Sequence, residues 1–245
     1  MRLTRVHVEL PLAPGIEVSL PESAAVHLAR VLRLGVGDSC VLFNGDGYDY
    51  AARVAALGKR ELRVAVTDAV AVESESPLRV TLLQGIARGE KMDLILQKAT
   101  ELGAAEVRPL SSQRSEVKLD AARAAKRLAH WRNVVVAACE QSGRATVPSV
   151  AAPGSLDEVL AGLPAGGLRL TLDPEGTFAI SALKVPAGGP VLLAVGPEGG
   201  WSPADREQLR EAGFQGLQLG PRILRTETAG LAAIAALQAG FGDLG

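Results

Sequence analysis

Val191-Leu192-Leu193-Ala194-Val195-Gly196-Pro197-Glu198-Gly199-Gly200-Trp201-Ser202-Pro203 reads as a buried strand, a glycine turn and a helix start. Five consecutive apolar residues predict a strand covered on both faces, as parallel sheets require. Gly196-Pro197 ends the strand, because proline brings no ladder N–H and glycine frees the turn. Ser202 caps the next helix, Pro203 fits its first turn, and Asp205 falls at the third helical position. Ligands of open α/β sheets bind at the carboxyl ends of the strands. The 196–200 turn lies at such an end, and Glu198 there has no packing purpose.

A second edge follows closely. Leu217 to Leu219 predicts a short strand, Gly220-Pro221 turns the chain, and Arg222, Ile223, Leu224, Arg225, Thr226, Glu227 and Thr228 lead into an alanine-rich helix running through Ala239. Arginines beside exposed backbone amides can hold a phosphate or stabilise a developing anion. Two ligand-competent edges in succession make this the expected active site.

Outward from these edges, the chain from Leu78 alternates strands and helices. Strands are predicted at Arg79 to Ile86, Glu106 to Leu110, Leu168 to Leu172 and Val191 to Val195. A helix over residues 90–102 puts Met92, Ile95, Leu96, Ala99 and Leu102 on one stripe, with Gly103 as its stop. A second, over 120–141, aligns Ala124, Leu128, Trp131, Val135 and Ala138 opposite Arg123, Lys126, Arg127 and His130. The Ser202-Pro203 helix ends at Gly213. This alternation implies an α/β domain on a mainly parallel sheet. Residues 1–72 differ: Leu3 to Leu10, Ser39 to Phe43, Tyr50 to Ala56 and Leu62 to Thr67 are β-rich runs between turn signals, with one helix at about Pro21 to Leu32. That spacing predicts a small barrel. Residues 69–77 read as a linker, so the domains are expected at 1–72 and 73–245.

The composition narrows the function classes. The chain has 245 residues, a formal net charge of −1 and two cysteines. Cys40 and Cys139 form no CxxC pair, so neither a disulfide framework nor a cysteine zinc site is expected, and a reducing cytoplasm is. His7, His27 and His130 are scattered, which argues against a histidine metal site. No apolar run is long enough to span a bilayer. The middle third is locally basic: residues 73–150 hold twelve basic and nine acidic groups, net +3, against net −4 over 151–245. The excess permits a phosphate-tracking surface, but on charge alone a solvated helix face accounts for it better. No Walker loop, GxGxxG, HExxH or GxSxG is present.

The two late segments, Gly196 to Pro203 and Leu219 to Ala229, closely resemble the signatures of the ribosomal RNA small subunit methyltransferase E (RsmE) family of the SPOUT superfamily. So do Lys91 to Gly103, Arg114-Ser115 with Val117 to Asp120, Glu140 to Arg144, and His27 to Leu34 with Val36-Gly37-Asp38. The resemblance covers nearly the whole chain. Gln113 stands where the family pattern has glutamate, Trp201 where phenylalanine is usual, and Gly230 where alanine is common.

The resemblance implies a PUA-like RNA-binding β-barrel followed by a SPOUT domain with a deep C-terminal trefoil knot, assembled as a homodimer. It implies S-adenosylmethionine as cofactor, and methylation of N3 of one uridine in 16S ribosomal RNA, in the decoding region of the small subunit. Carried over residue by residue, the cofactor should meet Leu172, Gly196, Pro197, Glu198, Gly199, Gly200, Leu219, Gly220, Ile223, Leu224, Arg225 and Thr228. The catalytic candidates are Arg225, polarising the uracil oxygens, and Glu198 or Glu227, assisting removal of the N3 proton. Arg88, Arg114 and Arg144 are candidate RNA contacts beside the pocket, and Arg2, Arg5, Arg30 and Arg33 on the barrel. Two other readings use the same scaffold: methylation of a different base or of a ribose 2′-oxygen, and a non-catalytic RNA-binding or assembly factor.

Overall fold

The structure is a computed structural model that describes residues 4–26, 28–29, 33–58, 61–185 and 189–245. It divides into two compact units, Met1–Glu75 with Cys139–Val147, and Ser76–Ala138 with Pro148–Gly245. The break thus falls three residues after the expected 72/73 boundary, and the first unit takes back a segment from much later in the chain.

The first unit holds five strands: β1 (Arg5–His7), β2 (Glu17–Ser19), β3 (Ser39–Phe43), β4 (Tyr48–Leu57) and β5 (Leu62–Ala71). Their order is β1-β3-β4-β5-β2, with β1 parallel to β3 and the other pairs antiparallel. The period-2 pattern explains the core. Tyr50, Ala52 and Val54 of β4 and Leu62, Val64 and Val66 of β5 point inward onto Val6, Leu28 and Leu42. Burial of each such aliphatic side chain contributes about 1.5–3 kcal/mol. Helix α1 spans Glu22–Val26, shorter than the expected Pro21 to Leu32, of which residues 27 and 30–32 lie outside the described residues. The expected linker is partly strand, since β5 runs to Ala71 and pairs there with Tyr48.

Arg5 explains why Cys139–Val147 belongs to this unit. Its guanidinium donates to Asp49 Oδ1 at 2.6 Å, to the Cys139 carbonyl at 2.8 Å and to the Arg144 carbonyl at 3.2 Å, and it lies 4.6 Å from the Phe43 ring centroid. Arg144 is itself buried and paired with Glu75 at 2.5 Å. A buried guanidinium is tolerated only when its donors are matched in this way.

The second unit is built on a seven-stranded sheet: β6 (Val80–Gly85), β7 (Ala104–Ser111), β8 (Ser149–Val150), β9 (Gly154–Ser155), β10 (Leu168–Leu172), β11 (Val191–Val195) and β12 (Gln215–Leu217). The order is β12-β10-β11-β6-β7-β8, with β9 beside β7, and every pairing among the described residues is parallel. All five residues of β11 are buried, as its unbroken apolar run predicts. The helices are α2 (Glu90–Glu101), α3 (Ala121–Ser142, whose residues from Cys139 on count with the first unit), α4 (Leu156–Ala161), α5 (Pro203–Glu211) and α6 (Thr226–Phe241). Met92, Ile95, Leu96 and Ala99 form the buried stripe of α2, and Gly103 ends it at φ +82°. A capping box starts α5, with the Ser202 hydroxyl accepting from the Asp205 N–H at 3.0 Å and Asp205 Oδ2 from the Ser202 N–H at 2.8 Å.

One strand is displaced from its expected place. β12 ends at Leu217, not Leu219, because its partner β10 ends at Leu172. The Gln218 N–H turns instead to the Phe178 carbonyl at 2.9 Å. Residues 218–225 are thereby released from the ladder to become a loop.

Candidate active site

The sheet order places the site. From β6 the chain proceeds outward to β7, and later returns to the other side through β10 and β11, so the order reverses beside β6. Crevices at such reversals, at the strands' carboxyl ends, are where α/β sheets take ligands. A cavity of about 530 Å³ opens here, within the ~300–1,000 Å³ usual for small-molecule sites. Three strand ends supply its wall: Leu172, Asp173 and Pro174 after β10, Val195 to Glu198 after β11, and Leu217 to Gly220 at β12.

The loop between β12 and α6 forms much of the lining, through Leu219, Gly220, Pro221, Arg222, Ile223, Leu224 and Arg225. Its main chain is available to a ligand. Among the described residues, the amides of Leu219, Gly220, Ile223, Leu224 and Arg225 make no backbone hydrogen bond. Gly220 has φ +71°, and a Cβ there would meet no atom within 4 Å. Ile223 is 85% exposed, unusual for an isoleucine that lines a cavity. Unpaired donors and an uncovered apolar side chain suit a flat heteroaromatic ligand with edge acceptors.

Two buried polar side chains hold the loops in place. The Thr226 hydroxyl donates to the Gly196 carbonyl at 2.6 Å and accepts from the Gln84 amide at 3.1 Å. Gln84 Nε2 also reaches the Gly85 carbonyl at 2.9 Å. The end of β6 lies so close to the turn that a Cβ on Gly85 would overlap the Pro197 nitrogen. Thr226 falls within the second edge that the sequence marks, with no role assigned to it there, and Gln84 does not stand out in the sequence as a site residue. Gln84 sits in an apolar strand, and that polar interruption is its only signal.

The charged groups gather at one rim. Lys91, from the first turn of α2, has its ammonium 3.8 Å from Glu198 Oε1 and 3.5 Å from Glu227 Oε1. Glu198 Oε1 also accepts the Arg88 N–H at 3.0 Å. Glu227 Oε2 is buried with no hydrogen-bond partner among the described residues. Arg225 lines the same cavity and is exposed. The structure therefore brings together the three residues expected to be catalytic, and adds Lys91 between two of them.

Of the expected cofactor residues, Leu172, Gly196, Pro197, Glu198, Gly200, Leu219, Gly220, Ile223, Leu224 and Arg225 line the cavity. Gly199 and Thr228 do not. A Cβ on Gly199 would come 2.9 Å from the Arg114 carbonyl oxygen, so its glycine serves the approach of two loops. Thr228 is exposed outside the lining. Among the expected RNA contacts, Arg114 lines the cavity, and Arg88 is exposed and ion-paired with Glu116. Arg33 is exposed on the first unit, with φ +57°. Arg5 and Arg144 are buried and committed to the carbonyls and carboxylates described above, which corrects their assignment: they are structural. Arg2 and Arg30 lie outside the described residues. No group of histidine, cysteine and carboxylate side chains among the described residues could hold a metal ion. No helix among them is long and apolar enough to cross a membrane.

A parallel sheet with a ligand cavity at its reversal point, fused to a small β unit, defines a class. The RNA methyltransferase domain family matches residues 74–238, and the RNA methyltransferase PUA domain family matches residues 20–67. The chain is 32% identical to the ribosomal RNA small subunit methyltransferase E of Buchnera aphidicola, over 99% of this chain and 98% of that one. To its counterpart in Bacillus subtilis it is 33% identical, over 86% and 85%. The crystal structure of the Neisseria gonorrhoeae enzyme of that name, bound to S-adenosyl methionine, superposes with a TM-score of 0.94 at 41% identity over the whole of both chains. The chain is an RNA methyltransferase with an N-terminal PUA domain. It belongs to the ribosomal RNA small subunit methyltransferase E family.

Proposed function

We propose that the protein transfers the methyl group of S-adenosylmethionine to N3 of one uridine in 16S ribosomal RNA, in the decoding region of the small subunit. The observation that carries this reading is the meeting of Arg225, Glu198 and Glu227 with an amide-rich loop around one cavity. The fit to the cofactor rests on that loop. Unpaired amides at Leu219, Gly220, Ile223, Leu224 and Arg225 match the acceptor edge of adenine, and the cavity volume suits a nucleoside with a short tail.

S-adenosylmethionine supplies an activated methyl on a sulfonium, so the protein's main task is alignment. Leu172, Gly196 and the 219–225 loop would hold it. Uracil N3 carries a weakly acidic proton, and its removal needs help. Arg225 would stabilise negative charge on the uracil oxygens. Glu227 is the better candidate base. Glu198 is already engaged by the Arg88 amide at 3.0 Å, whereas Glu227 keeps one oxygen unpartnered. N3 lies on the Watson–Crick edge, so the base must leave its pair and turn into the cavity. Arg88, Arg114 and Arg33 remain the candidate phosphate contacts.

The same reading includes a closed barrel in the first unit, a homodimer, a cytoplasmic location and a trefoil knot. The knot is supported by the path of the chain. β12 lies beyond β10, and residues 218–225 then return to α6, which packs on β6 and β11. Incubating small subunits from a strain lacking the modification with methyl-labelled S-adenosylmethionine tests the activity. Label in 3-methyluridine supports it, label in a 2′-O-methyl nucleoside moves the target, and unlabelled RNA overturns it. Sedimentation of the purified protein tests the dimer.

A further inference from the structure

The relation of Lys91 to the two carboxylates bears on how the site works. Glu227 Oε2 is buried without a partner among the described residues, and its side chain as a whole is 14% exposed. A buried carboxylate oxygen with no hydrogen-bond donor is costly unless a cation lies close by. Lys91 is that cation. Its ammonium lies 3.5 Å from Glu227 and 3.8 Å from Glu198, on the first turn of a helix whose stripe of Met92, Ile95 and Leu96 is fully packed. The lysine stem therefore starts from a fixed point.

We infer that Lys91 is a positioning residue of the methyl transfer: its ammonium fixes the Glu227 carboxylate beside Glu198, in the orientation from which Glu227 can accept the proton leaving the RNA base. This rests on the methyltransferase reading above. In the step, the N3–H bond breaks, its electron pair stays on N3 to form the bond to the methyl carbon, and the proton passes to the Glu227 carboxylate. The sulfonium leaves as a neutral thioether, so charge balances. The other charged groups lining the cavity are Arg114, Arg206, Arg222 and Arg225, with Asp173. Asp173 is paired with Arg206 at 3.1 Å. Lys91 is the one the structure places within 4 Å of both Glu198 and Glu227.

The test compares wild type, Lys91→Met and Lys91→Arg in two measurements. The first separates kcat from KM for methyl transfer to small subunits. In Lys91→Met kcat should fall by about tenfold or more while KM for S-adenosylmethionine stays within about twofold, as expected for a misplaced reacting group. Lys91→Arg should restore most of kcat. The second needs no activity: the 13C carboxyl resonance of Glu227 at one fixed pH, assigned by its absence in Glu227→Gln, should shift or broaden in Lys91→Met and stay near its wild-type position in Lys91→Arg. An unmoved Glu227 resonance, or a rise in KM without loss of kcat, overturns the inference. A wild-type protein that methylates nothing overturns the parent reading instead, and the resonance still decides the role of Lys91.

Discussion

The hydroxyl of Thr226 joins the two glycine loops, donating to the Gly196 carbonyl at 2.6 Å while accepting from Gln84 at 3.1 Å. It is the first residue of α6, so the helix that follows one loop is pinned to the turn of the other. Thr226→Val keeps the shape and removes both bonds, leaving a buried carbonyl and amide without that partner. A loss of about 1–3 kcal/mol in stability is expected, together with weaker S-adenosylmethionine binding by calorimetry. Thr226→Ser should retain most of both.

Gly85 serves the same junction by absence. A Cβ there would overlap the Pro197 nitrogen and come 2.7 Å from the Gly196 carbonyl carbon, and both obstacles are backbone. Gly85→Ala must push the 196–197 turn away from β6. A cost of about 1–3 kcal/mol is expected, read as a lowered Tm, with cofactor affinity falling further than in Gly240→Ala, where a Cβ meets nothing within 4 Å.

The two carboxylates should separate kinetically. Glu227→Gln removes the proposed base, and kcat is expected to fall by about 10²–10⁴-fold with little change in cofactor affinity. Glu198→Gln weakens the acceptor for the Arg88 amide and should disturb the turn, raising KM more than it lowers kcat. Single-turnover methylation at saturating cofactor distinguishes the two, and equal effects would refute the division.

Arg144 offers a contrast with the exposed arginines. It is 4% exposed and paired with Glu75, which is 34% exposed. Breaking a fully buried pair costs about 3–5 kcal/mol, and the partial exposure of Glu75 reduces this to about 2–3. Arg144→Ala should therefore lower the Tm while leaving the salt dependence of RNA binding unchanged. Arg114→Ala should do the reverse, reducing the slope of log K against log salt by about one if it meets a phosphate.

The cysteines report on the first unit. Burial pushes the Cys40 thiol up to about 11 and the Cys139 thiol up to about 12. Both pKa values are raised, so both thiols are protonated and unreactive at neutral pH and gain reactivity only as pH climbs toward those values. Labelling by a disulfide reagent at about pH 8, below the ~8.5 of a free thiol, should be slow in the native protein and fast in denaturant. Fast native labelling would mean that this unit opens.

Much of the second unit is legible because its signals are local. β10 and β11 occupy the residues their apolar runs predict, and α2, α5 and α6 begin where caps, proline and the end of the glycine loop place them. β12 lies two residues earlier than its sequence suggests. Leu217 and Leu219 flank Gln218 in the alternation of a strand, but the end of β10 at Leu172 leaves residues 218 and 219 without a ladder partner, which is a tertiary fact. β8, β9 and α4 are too short for periodicity to register. The site is legible as two loops, but its organisers are not. Lys91 reads as an ordinary first-turn charge on an amphipathic helix, and only the fold sets it between Glu198 and Glu227. Arg5 and Arg144 fail in the opposite sense: arginine type alone does not distinguish a phosphate contact from a buried clasp.

The clasp has a consequence for the protein's birth. Arg5 emerges among the first residues of the chain, yet two of the carbonyls that satisfy it belong to Cys139 and Arg144. Chains are synthesised at about 5–20 residues per second, N-terminus first. The N-terminal strands must therefore wait several seconds, with a guanidinium only partly matched, while the whole of α3 is made. A fragment ending at residue 72 reproduces that waiting state permanently, and the small β unit reaches its finished form only once the ribosome has passed Val147.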